Sequence, residues 1–107
     1  MNYLDKAEKA IQYLADSEEE YARLKAGHQA EKERMKVIKA SLMMESGEST
    51  QKGKEIDAES HEDYKDALTD WQTFMEEYYL VEAKRKRAEL TIEMYRSVNS
   101  ALKRGNI

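Results

Sequence analysis

Cysteine and proline are absent from this 107-residue chain, and glycine occurs only four times. The lack of cysteine excludes a disulfide framework and any thiolate metal site. The lack of proline, with so little glycine, removes the residues that most strongly interrupt helices. Long apolar runs are missing too: no window approaches the roughly 20 apolar residues of a membrane span. The opening segment, residues 1–15, carries Asp5 and Glu8 where an export signal needs a continuous apolar stretch. A cytoplasmic location and no membrane partner are therefore expected. Catalytic patterns are missing as well, with no nucleophile elbow, no glycine-rich phosphate loop and no HExxH sequence. His28 and His61 are the two histidines, and neither sits in a spaced ligand motif. The expectation is a protein without catalytic residues, metal or cofactor.

What is present favours helix. Ala, Glu, Lys, Leu, Met and Arg supply high helix propensity. Charged residues make up 37% of the chain, which leaves too little apolar surface for a thick core. Leu14, Ser17, Tyr21, Leu24, His28, Glu31, Met35, Ile38 and Leu42 recur at intervals of three and four, drawing one stripe down a helix. Ser17 and Glu20 match a capping box, which leaves a start near Ser17 open, but the unbroken period favours one helix over 1–45. Residues 46–60 read as a connection with room for a short helix. Within it, the glycines and small polar residues of Ser46 to Lys54 predict a helix end and a mobile loop, with Gly47 a candidate positive-φ cap. Ser60, followed three residues later by Asp63, is the expected cap of a second long helix over 61–104.

That second helix carries two heptad tracks. One runs Tyr64, Trp71, Tyr78, Arg85, Ile92, Asn99, and the other Ala67, Phe74, Val81, Ala88, Tyr95, Leu102. Gly105 after Lys103 and Arg104 marks its end. A helix of about 40 residues is about 60 Å long, so two of them form no sphere. The fold class is all-α: two long antiparallel amphipathic helices in a hairpin. Tyr64, Leu68, Trp71, Phe74, Met75 and Tyr78 offer more apolar surface than one partner helix covers, so they are the expected interface of a homo-oligomer. His28, Glu31 and Arg85 interrupt the stripes; they form either a buried polar cluster that sets register or a locally rotated face that reaches water.

Charge is segregated. Arg23 to Lys39 holds six basic and two acidic residues, Glu45 to Glu82 three basic and twelve acidic, and Lys84 to Arg104 seven basic and two acidic. Polyanion binding depends on local charge, so the acidic total does not exclude it. Lys32, Lys36 and Lys39 share one side of the first helix, with Arg34 nearby. Lys84, Arg85, Lys86 and Arg87 form the densest basic run, although consecutive helical residues point in four directions. These eight residues are the candidate contacts to the phosphates of a nucleic acid. The same run also fits a solvated, helix-stabilising surface.

The segment Lys39-Ala40-Ser41-Leu42-Met43-Met44-Glu45-Ser46-Gly47 resembles a motif of the UvsY family, the recombination mediators of tailed phages, which reads roughly K-A-R-L-x-x-x-S-G. The layout is similar too: a long first helix, a polar connection, then a helix that is aromatic near its start and basic toward its end. In that family both basic residues of the motif are implicated in contacting single-stranded DNA. Lys39 holds the first position here and Ser41 stands at the second, with Lys32, Arg34 and Lys36 on the preceding turns. The resemblance implies a ring-like homo-oligomer that binds single-stranded DNA and helps a RecA-type recombinase displace single-strand-binding protein. The competing class is a non-enzymatic interaction protein that does not bind DNA, such as a phage inhibitor of a host nuclease or an assembly adaptor, using the acidic middle as a nucleic-acid mimic.

Overall fold

The computed structural model describes residues 2–105 and is all-helical among them. Helix α1 spans Tyr3–Glu45, α2 Gln51–Ser60 and α3 Glu62–Lys103. Asn2 caps α1 by accepting a hydrogen bond from Asp5 N at 2.8 Å, and Asp5 itself complements the positive end of the helix. Ser17 starts no helix: it is buried within α1, where its hydroxyl donates to the Tyr13 carbonyl at 2.7 Å.

The connection is more ordered than its glycines predict. Thr50 caps α2 by accepting from Gly53 N at 2.9 Å, so Gly53 lies inside a helix. Ser46 Oγ donates to Asp57 and also accepts from Glu48 N, which ties the residues after α1 to α2. Gly47 does not have a positive φ; among the described residues Gly105 alone does, at 72°, closing α3. Ser60 is not the cap of α3 either. His61 accepts from Asp63 N through Nδ1 at 3.1 Å, while Ser60 donates to the Ile56 carbonyl.

The chain divides into two compact units. A terminal unit contains the residues up to Ala22 and from Tyr79 onward; a turn unit contains Arg23–Tyr78. In each, α1 and α3 run antiparallel, as shown by Tyr21 to Glu82 and Arg85 to Ser17 in the first and by Gly27 to Phe74 and Arg34 to Asp70 in the second. All nine residues of the α1 stripe are buried or half-buried. Both α3 tracks are as well, apart from exposed Leu102.

The cores are thin because most of what they bury is alanine. Ala7, Ala10, Val81 and Ala88 are buried in the terminal unit, and Leu24, Ala58 and Ala67 in the turn unit. Leu24 is the one large side chain fully enclosed among the described residues. Beside it, Gly27 has a specific reason to be glycine. A β-carbon there would overlap the edge of the Phe74 ring, so the aromatic lies directly on the α1 backbone.

Candidate nucleic-acid interface

The basic part of α1 and the acidic parts of α2 and α3 lie in the same unit, and they pair. Arg34 donates through Nε to Glu31 at 2.9 Å and through a terminal nitrogen to Asp70 at 2.8 Å. The hydrogen bond to Glu31, then the charges of Glu31 and Asp70, hold its guanidinium above the usual arginine pKa. Lys39 donates to Glu59 at 2.8 Å, and that hydrogen bond raises its ammonium above the usual lysine value. Lys36 reaches Glu33 at a looser 3.5 Å. Lys32 makes no ion pair among the described residues.

Such exposed pairs add little to stability, but they divert cations from other anions. The nine-residue motif is diverted most: its first residue, Lys39, binds Glu59 and its serine, Ser46, binds Asp57, so both hold α2. A groove of about 410 Å³ in this unit sets Arg34 among Glu45, Asp63 and Asp66, a poor lining for a phosphate.

The four consecutive cations of α3 do point in different directions. Arg85 turns inward: half-buried, it donates to the Leu14 carbonyl at 2.9 Å and to Ser17 Oγ at 2.8 Å, with its guanidinium carbon 4.8 Å from the centre of the Tyr21 ring. It is a register pin of the terminal unit, which corrects its assignment as a DNA contact. Lys86 is exposed and touches Glu82 at 3.4 Å. Lys84 and Arg87 are exposed and make no ion pair among the described residues.

Lys84 and Arg87 share a groove of about 360 Å³ in the terminal unit with Tyr13, Ala88 and Thr91. Their spacing of three places them on one side of α3, and Tyr13 supplies an aromatic ring from α1. Lys9, exposed and one turn before Tyr13, belongs to the same side of α1. Two cations beside an aromatic ring are what a single strand requires: charge for phosphate and a face on which a base stacks. Lys84 and Arg87 stand out in the sequence as part of the basic run, whereas Tyr13, which the fold places in the same groove, does not. Tyr13 sits beside Leu14 of the stripe, a flank position that the period alone does not single out.

The aromatic residues expected at an oligomer interface lie elsewhere in role. Tyr64, Leu68, Trp71, Phe74, Met75 and Tyr78 are all half-buried within the turn unit. Trp71 and Tyr78 both stack on His28, at centroid distances of 6.1 and 5.4 Å, and Phe74 covers Gly27. Trp71, Phe74 and Tyr78 thus serve the intramolecular seam, which takes up part of the surface expected at an oligomer interface. The exposed large apolar side chains are others, notably Ile11 on α1 and Tyr79, Leu80, Leu90 and Met94 on α3. Nor do His28, Glu31 and Arg85 form one cluster, since His28 stacks on the aromatics, Glu31 binds Arg34, and Arg85 binds Ser17. No group of metal-ligating side chains occurs among the described residues, and no helix there is long and apolar enough to cross a membrane. No protein-family model, curated protein or solved structure matches the chain.

Proposed function

We propose that the protein is a non-catalytic binder of single-stranded DNA, acting as a homo-oligomeric recombination mediator that helps a RecA-type recombinase displace single-strand-binding protein. One observation carries the reading: Lys84 and Arg87, which make no ion pair among the described residues, line a groove together with Tyr13. Cations beside an aromatic ring act on phosphates and base faces, which every sequence shares, so the binding expected of this groove is sequence-independent. The site differs from the one implied by the UvsY-like motif. The contact moves from Lys39, held by Glu59, to α3. Repeating a groove with few cations around an oligomer raises avidity without new contacts.

The experiment is a salt titration of binding to a fluorescent oligothymidylate. Binding at low salt that falls steeply as salt rises is the expected result. Absence of binding at low salt would sink the proposal and leave the second reading, a helical interaction protein that does not bind DNA. That alternative draws support from the exposed Leu80, Leu90 and Met94. Its nucleic-acid-mimic form is weakened, because Asp57, Glu59 and Asp70 of the acidic middle are engaged within the chain.

A further inference from the structure

We propose that the end of α3, Leu102 with Lys103 and Arg104, docks into the groove between α1 and α3 in the turn unit of another copy of the chain; the inference rests on the homo-oligomeric part of the proposed function. That groove, of about 410 Å³, is floored by Val37, Ile38 and Leu42, and Val37 is 64% exposed. Its size falls in the range of about 300–1,000 Å³ in which side chains and small ligands are held. Its charge is one-sided. Glu45, Asp63 and Asp66 line it against a single cation, Arg34, which Glu31 and Asp70 already engage. His61 Nδ1 stands 3.8 Å from Asp63 Oδ2 but accepts a hydrogen bond from Asp63 N, so it supplies no cation there. The other charges nearby leave this unchanged: Glu62 offsets Lys65 on the first turn of α3, and Lys36 and Lys39 are held by Glu33 and Glu59. An apolar floor with a carboxylate rim fits an apolar side chain flanked by cations.

The chain carries such a segment itself. Leu102 stands at a track position of α3 yet is 54% exposed, the one exposed member of the two tracks. Lys103 and Arg104 follow it, both exposed and without an ion pair among the described residues. The stretch from Ser97 to Gly105 holds no carboxylate. Arg96 does not count toward this charge, because it shares a groove with Glu89 and Glu93. At the start of α1, Lys6 and Lys9 are offset by Asp5 and Glu8. A foreign basic peptide offers the same chemistry, but the chain presents its own α3 end at a concentration equal to that of the groove. The two surfaces differ, so the contact is head to tail and leads to rings or filaments rather than to a two-fold dimer.

The test is analytical ultracentrifugation of the full chain at micromolar concentration, in low salt and without nucleic acid. The wild type is expected to form assemblies that weaken as salt rises. Reversing the groove with Glu45→Lys, Asp66→Lys, or the α3 end with Lys103→Glu, Arg104→Glu, should in each case weaken self-association at least about tenfold, one decade in Kd. All four residues are exposed, so helical circular dichroism should persist in both variants. Mixing the two variants should restore assembly, because the reversed groove then meets the reversed end. Leu102→Ser, which leaves every charge in place, should also weaken association. Equal self-association of the wild type and the reversed variants, or a mixture that stays dissociated, overturns the inference and leaves the homo-oligomer standing. A wild type that is monomeric under these conditions overturns both, and leaves DNA binding by the single chain untouched.

Discussion

The turn unit and the terminal unit are built from the same two helices but treat their cations differently. In the turn unit two cations of α1 meet carboxylates on other helices, Arg34 with Asp70 and Lys39 with Glu59, while Lys32 makes no ion pair among the described residues. In the terminal unit one arginine, Arg85, turns into the seam and binds a carbonyl and a serine, and its neighbours Lys84 and Arg87 keep their charge at the surface. Charge segregation along a sequence therefore has two physical meanings. It can specify antiparallel pairing, as the complementary segments of the turn unit do, or it can supply a binding surface where no complement is in reach. Only the structure separates the two, because the partners of Arg34 and Lys39 are 36 and 20 residues away.

Removing the anchor of each unit in turn should separate the two further. Leu24→Ala truncates a fully enclosed large side chain, and a loss of about 3 kcal/mol in urea denaturation is expected. Hydrogen exchange should rise across residues 23–78 in particular, and an unchanged midpoint would show that the seam there collapses to fill the gap. Arg85→Ala should have a smaller effect, about 2 kcal/mol, by removing charge-assisted hydrogen bonds to Leu14 and Ser17 and the stacking on Tyr21. Its exchange effect should fall on the terminal unit. If Arg85→Ala instead lowers DNA affinity with no change in stability, Arg85 is a ligand residue rather than a register pin.

Much of the fold was legible in the sequence because it depends on local period. The α1 stripe from Leu14 to Leu42 and the α3 tracks needed only intervals of three and four, and all of these residues except Leu102 are buried or half-buried. The connection was less legible, since Thr50 and His61 cap helices through side-chain acceptors at positions that composition does not single out. Gly27 gave no local signal at all; its reason is the Phe74 ring, supplied by another helix. The aromatic segment was less fully legible for a related reason. Counting aromatic side chains from Tyr64 to Tyr78 overstated the leftover surface, because stacking on His28 and packing against a glycine backbone cover much of it. The candidate site was half legible: its cations came from a visible basic run, whereas Tyr13 is brought to them by antiparallel pairing.

If free charge resides in the terminal groove and paired charge in the turn unit, two charge-reversed variants matched in the number of cations removed should differ in their binding to labelled oligothymidylate over a range of salt. Lys84→Glu with Arg87→Glu should weaken binding at every salt concentration and lower the log-salt slope by about 0.7 for each phosphate that is no longer neutralised. Lys36→Glu with Lys39→Glu, which reverses cations already held by Glu33 and Glu59, should leave the slope near wild type. The reverse ranking, with the larger drop in slope for the Lys36 and Lys39 variant, would place the DNA on α1 and contradict the assignment of the site to the terminal groove.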